Sequence, residues 1–437
     1  MKPIRVFLFA LLASTIAAQT PDRPRVFAVR NARIVTVSGT TIERGTIVLR
    51  DGLIEAVGAS AAVPNDAWAI DGEGLVVYPG FINGLSRLGM PDAKKFPAVY
   101  GAKPAAGPQD RPATSTWALG VDHFEADEGA VETWRNGGFT TVAVSPRQGI
   151  LPGQISLLNL SRAPAEKAVA AQAAVLVQLP SERSRANGFP SSLFGQMAYV
   201  DQIFADARQA RQAATIYRED PSGLERPGYD RALAPLIEAI DQNRLLLYPG
   251  DSATQIRRAL ERSADLADRR AVYGARQAYA KDVAAELAEA SAAVLLDLDW
   301  PEAPEDPDPA VQAPLRTLRY RAEAPSSAAA LAKAGVSFGL YASDAKTPAD
   351  LMKGLRRAVE AGLTHEDAIR ALTLGAARVY GVDDRLGSLE AGKIANLVIY
   401  RDDPFAEKSR PTTVFVDGEK FDVPAAPEDP EKDDDDS

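Results

Sequence analysis

Val77-Tyr78-Pro79-Gly80-Phe81-Ile82-Asn83-Gly84-Leu85-Ser86-Arg87-Leu88-Gly89 is the stretch on which the reading of the fold turns. It is an apolar run that turns at Pro79-Gly80 and then alternates like a strand. On a strand, side chains repeat every second residue, so Leu85 and Arg87 point the same way. Upstream lie short β-rich runs at 26–29, 33–37, 46–49 and 53–57, the last two joined by Asp51-Gly52, a strong hairpin signal. Near the other end, runs at 395–400 and 413–416 precede Asp417-Gly418 and 419–421. The two ends read as halves of one small sheet domain.

Between them the pattern alternates strand and helix, as parallel βα units do. Strands are expected at 139–145, 174–179, 245–248, 271–273, 293–298 and 336–341, and an eighth between 180 and 230. Apolar spacing of three and four marks helices through Leu233, Leu236, Ile237 and Ile240, and through Leu351, Leu355, Ala358 and Val359. Thr347 with Asp350, and Thr364 with Asp367, are capping-box-like helix starts. Pro301 to Pro314 reads as an extended surface loop.

The chain has 437 residues, 46% of them apolar, enough for an α/β barrel of roughly 250 residues and a smaller unit. A formal charge of −10 argues against nucleic acid or an anionic membrane as partner. Absence of cysteine removes disulfides and thiolate metal sites. Lys2 and Arg5, an apolar core from Val6 to Ala13, and small Ala17 and Ala18 have the layout of a secretory signal peptide over 1–18. An exported protein, periplasmic or secreted, is expected. The acidic tail 424–437 is expected to be disordered.

Phe81-Ile82-Asn83-Gly84-Leu85-Ser86-Arg87 after Pro79-Gly80 resembles the first barrel strand of the amidohydrolase superfamily, where PGFIDxHxH carries two metal-binding histidines. Ala330 to Val336, Ala368 to Ala377 and Asp384 to Val398 are similar to the family's last barrel strand region and its exit from the barrel. Gly138 to Val142, Ser145-Pro146 and Gly153-Gln154 are similar to the second-strand region of the exported, imidazolonepropionase-like branch. The resemblance implies a distorted (β/α)8 TIM-type barrel over 77–387 and a small β-sandwich domain built from both termini, 19–76 and 388–423.

It also implies a centre of zinc or a similar divalent metal, for which members use about four histidines. This chain has two, His123 and His365, neither at the end of an expected strand. The histidine places of the first strand hold Leu85 and Arg87, and Pro249-Gly250 and Val272-Tyr273-Gly274 stand at the others. A guanidinium has no acceptor and repels a cation. Asp344 matches the family's catalytic aspartate, and it also suits a loop acid ahead of Thr347. Asp297 and Asp299 at a strand end offer, with Asp344, an oxygen-only site for magnesium, manganese or calcium.

The expected function is that of an exported amidohydrolase-fold protein, metal-free, without cofactor and catalytically degenerate. It would pair with an active homologue, self-associate or bind a small ligand, with Arg87 holding a carboxylate or phosphate. The alternative is a metal-dependent hydrolase of non-peptide or dipeptide C–N bonds, using Asp344 with a noncanonical or partner-supplied metal.

Overall fold

The computed structural model describes residues 25–91, 111, 113–166, 168–179, 190, 192–304 and 312–424. The signal-peptide reading for 1–18, the middle of the 301–314 loop and the tail beyond 424 lie outside the described residues. Among those described, two eight-stranded sheets organise the chain.

The first sheet takes strands from both ends of the sequence. Its upstream members are β1 (Val26–Ile34), β2 (Ile42–Arg50), β3 (Leu53–Gly58), β4 (Trp68–Asp71) and β5 (Val76–Pro79). The barrel strands follow as β6 (Phe81–Ser86), β7 (Phe139–Val144), β8 (Gly153–Asn159), β9 (Ala168–Leu176), β10 (Leu245–Gly250), β11 (Arg270–Gly274), β12 (Ala293–Asp297) and β13 (Phe338–Tyr341). The first sheet is completed by β14 (Leu397–Tyr400), β15 (Thr413–Val416) and β16 (Glu419–Asp422).

The Pro79-Gly80 turn divides the opening stretch between the two sheets. β5 pairs parallel with β1 and antiparallel with β14, which is where the two ends of the chain join. The sheet then curls on itself, because the rings of Phe27 on β1 and Phe415 on β15 meet edge to face at 5.2 Å although β5 and β14 lie between their strands. Val29, Ile34, Ile47, Leu397 and Ile399 fill the core inside this curl. The layers implied by a sandwich are thus hydrogen-bonded into one continuous sheet.

Both expected hairpins have positive φ at their two central residues, Asp51 (49°) with Gly52 (86°) and Asp417 (52°) with Gly418 (74°). That is the mirror-image turn that suits strand twist. The two turns, from opposite ends of the sequence, touch: a Cβ on Gly418 would lie 2.7 Å from the Gly52 Cα.

In the barrel sheet the order is β6 to β13 in sequence, and β13 closes towards β6, where a Cβ on Gly84 would lie 3.0 Å from the Leu340 carbonyl oxygen. The helices are α1 (Glu128–Asn136), α2 (Leu193–Glu219), α3 (Ala234–Asp241), α4 (Ala253–Ala264), α5 (Val283–Glu289), α6 (Leu315–Glu323), α7 (Ser327–Lys333), α8 (Pro348–Glu360), α9 (His365–Arg370) and α10 (Ala376–Tyr380). Both helix starts stand where expected: α8 begins with a capping box after Thr347, whose N–H donates to Asp350, and α9 after Thr364, whose hydroxyl accepts from the Asp367 N–H.

The eighth strand corrects the sequence reading. It is β8, antiparallel to both β7 and β9, and not a strand between 180 and 230. Helix α2 lies in that interval instead, with Met197, Val200, Ile203, Phe204 and Ala207 buried at helical spacing and Ser192 capping its start. No helix separates β7 from β8, so counting βα units passes over the strand.

A π-helical turn, Ala371–Gly375, leads into α10, which plugs one end of the barrel. The Tyr380 hydroxyl donates to the Gly84 carbonyl at 2.5 Å, and Ala376, Val379 and Tyr380 pack on Ile82, Leu247 and Leu295 inside the strands.

A buried polar network joins the barrel to the first sheet. Asn159 Oδ1 accepts from Thr141 Oγ1 (2.8 Å) and Asn396 Nδ2 (2.9 Å), Asn159 Nδ2 donates to Asp417 (2.6 Å), and Asn396 Oδ1 accepts from the Asp417 N–H (2.8 Å). Asn396→Ala would leave that N–H unpaired. Urea denaturation should show a loss of about 2 kcal/mol; an unchanged midpoint would mean that the network contributes nothing.

Candidate functional site

Strand alternation aims one set of side chains at the open end of the barrel. Leu295 and Tyr341 belong to the barrel interior, so Asp297 and Ser343, two residues on, face the same way. The same step carries Leu85 to Arg87, Ala143 to Ser145 and Leu176 to Gln178. All five of the outer residues line a cavity of about 370 Å³ at the C-terminal ends of the strands. That is where barrel enzymes hold their substrates.

Arg87 and Asp344 come together at the rim. Arg87 Nη2 lies 3.5 Å from Asp344 Oδ1, with side chains 56% and 78% exposed. An ion pair so exposed contributes little to stability. Arg87 lines the cavity, whereas Asp344 does not.

Deeper in, charge is handled differently. Arg276 grips Asp251 with two parallel bonds, Nε to Oδ1 at 2.8 Å and Nη2 to Oδ2 at 2.9 Å, and donates to the Asp299 carbonyl at 2.5 Å. Burial works against its charge, but Asp251 and Asp297 outweigh that and raise its pKa. Asp297 is buried; its Oδ1 accepts from the N–H groups of Ser343 and Asp299, both at 3.1 Å. Loss of hydration pushes its carboxyl up to about 6, against the pull of Arg276.

The Ser343 hydroxyl lies 2.8 Å from Asp297 Oδ2 and 2.8 Å from Asp299 Oδ2. It has a single proton to share between two carboxylates. The neighbouring Asp299 carboxylate adds to the upward shift of Asp297, and the Ser343 hydrogen bond opposes it.

Arg147 follows β7 and also lines the cavity. Its Nη2 donates to the Ser86 carbonyl at 3.0 Å, while its Nε is buried with no hydrogen-bond partner among the described residues. Burial first, and then neighbouring Arg87, pushes its pKa down to about 10. The sequence reading missed Arg147, Arg276 and Asp251. Their only signal was position, each lying one to three residues past the end of a barrel strand.

The donor set does not fit the family's metal centre. Leu85, Arg87, Gly250 and Gly274 line the cavity where imidazoles would be required, and none can donate a lone pair. His365 lies elsewhere, 3.4 Å from Asp403 and against the Phe405 ring, and His123 does not line the cavity. The oxygen-only reading fares no better. Asp297 and Asp299 converge on Ser343, but their oxygens are occupied by N–H and hydroxyl donors, and Asp344 turns to Arg87. Among the described residues no group of three or more His, Cys, Asp and Glu is arranged to hold a metal ion.

Residues 304–421 match the Amidohydrolase family. This part of the chain is similar to that family. A stretch of 87 residues is 38% identical to an adenine deaminase of Methanococcoides burtonii, covering 17% of this chain and 15% of that protein. The chain thus matches well under two thirds of that relative's length. Over 91% of this chain, the fold superposes on all of an amidohydrolase from Thermotoga maritima with a TM-score of 0.74 at 21% identity. It also superposes on 99% of a prolidase complexed with N-methylphosphonate-L-proline, with a TM-score of 0.54 at 17% identity. The amidohydrolase fold therefore extends well beyond the matched segment.

Proposed function

We propose that this protein is an exported, catalytically degenerate member of the amidohydrolase fold, metal-free, whose barrel mouth binds a small ligand. One observation carries the reading: Arg87 stands where the family's strand holds a metal ligand, and it pairs with Asp344, the acid that would serve a metal-bound water. Without a metal, water stays far from ionised at neutral pH, and a lone exposed carboxylate is a weak base.

Elemental analysis of the purified mature chain should find no stoichiometric metal, and cyclic amides and dipeptides should not be hydrolysed above background. Bound metal together with hydrolysis that Asp344→Asn abolishes would overturn the reading. A second reading is favoured by the survival of Asp344 beyond β13. It is a hydrolase of non-peptide or dipeptide C–N bonds that takes a noncanonical or partner-supplied metal. The metal content of the chain purified from its native host, with any co-purifying homologue, distinguishes the two, since stoichiometric metal supports only the second. Recovery of the chain in the periplasmic or secreted fraction, starting near residue 19, would support export.

A further inference from the structure

We propose that the cavity is an anion site of inverted polarity, in which Arg87 and Arg147 take the carboxylate of a small organic acid and Leu85, Leu176, Leu179 and Met197 take its apolar body. This rests on the reading of the mouth as a binding site and names the ligand class.

Where the family's strand would surround cations with neutral and anionic ligands, this cavity is lined by four arginines, Arg87, Arg147, Arg258 and Arg276, and by two acids, Asp251 and Asp297. Arg276 is already satisfied by Asp251. The other three are not matched within the cavity. Arg87 has only the solvent-exposed Asp344 at 3.5 Å, and among the described residues Arg258 forms no ion pair. Arg147 has no carboxylate partner among them either, and its only hydrogen bond goes to a neutral carbonyl.

A buried guanidinium N–H without an acceptor is costly, and an incoming anion removes that cost. The anchor is also geometrically defined. Arg147 is held by the Ser86 carbonyl, on the residue next to Arg87, and both arginines line the cavity. Planar paired donors match a carboxylate well.

Two features select an organic monoanion over phosphate. Asp251, Asp297 and Asp299 stand on the β10 to β13 side of the same mouth and would repel a second negative charge. Leu85, Leu176, Leu179, Leu193 and Met197 give the cavity an apolar part, and a volume of about 370 Å³ is larger than a bare inorganic anion requires.

The test is calorimetric titration of the purified mature chain, at fixed ionic strength, with hexanoate, 3-phenylpropionate, their primary amides and inorganic phosphate. The acids should bind about tenfold or more tightly than the amides and than phosphate. Arg147→Gln should weaken acid binding by about tenfold or more and Arg87→Gln by several-fold, with Arg147→Lys partly restoring it. Arg87 is exposed, so its variant folds and keeps the test decisive if Arg147→Gln does not. Equal binding of acid and amide, acid binding unchanged in the variants, preference for phosphate, or no binding by any probe would each overturn the proposal. A finding of stoichiometric metal and hydrolysis would instead overturn the non-hydrolytic reading, so the two failures are distinct.

Discussion

Asp297→Leu should lower the unfolding free energy near neutral pH by about 3 kcal/mol, whereas Asp297→Asn should match the wild type at about pH 4, flatten the pH dependence and so exceed the wild type by about 3 kcal/mol near neutral pH. Leucine leaves the Ser343 and Asp299 N–H groups without the acceptor they now share. It also leaves Arg276 with one carboxylate partner fewer. Asparagine keeps Oδ1 for both amides, and its Nδ2 can donate to Ser343 Oγ as a protonated carboxyl would.

The sign of the pH effect follows from the direction of the shift. Asp297 titrates at about 6 in the fold against an ordinary 3.8, so the native state holds this proton more tightly than the unfolded chain. Its contribution is complete below the ordinary value and is lost as pH rises through about 6. Between about pH 4 and 6 the protein should lose about 3 kcal/mol that Asp297→Asn does not lose. Guanidinium denaturation of both proteins across that range measures it. Parallel pH profiles would show that burial does not raise the Asp297 carboxyl.

Gly375→Ala should cost about 3 kcal/mol, a large effect for one methyl group. Gly375 ends the π-helical turn with ordinary helical angles, so backbone freedom is not the issue. The constraint is space: a Cβ there would lie 2.1 Å from the Phe338 carbonyl oxygen on β13 and 3.0 Å from that of Arg370. Both obstacles are backbone, which cannot swing away as a side chain does. Relief requires α10 to move off β13, loosening the plug that Tyr380 fastens to Gly84. Gly228 is the control, because it has nothing within 4 Å of a Cβ and Gly228→Ala should change stability by less than about 0.5 kcal/mol. Equal melting temperatures for the two variants would show that the plug yields without cost.

Much of the fold was legible in local chemistry. The Asp51-Gly52 and Asp417-Gly418 turns, the helix starts at Thr347 and Thr364 and six of the barrel strands beyond β6 each announce themselves within a few residues, since turns, caps and alternation are short-range effects. β8 escaped because an antiparallel strand needs no crossover helix, and the reading relied on helices to count strands. At the site, Leu85 and Arg87 were legible through their shared strand face. Arg147, Arg276 and Asp251 were not, because each lies beyond its strand, where no periodicity says which way a side chain turns.

The sequence by itself determined what the barrel mouth lacks. Two histidines in 437 residues, no cysteine, and Leu85 and Arg87 in place of imidazoles are facts of composition and position, independent of how the chain folds. Only the tertiary structure decided what the mouth holds instead. Arg147 meets the carbonyl next to Arg87 across 61 positions of sequence, and Asp297 meets Ser343 across 46. Burial then determines which charges are paired and which stand open. Charge pairing and desolvation depend on distances between strands, and those exist only once the barrel has closed.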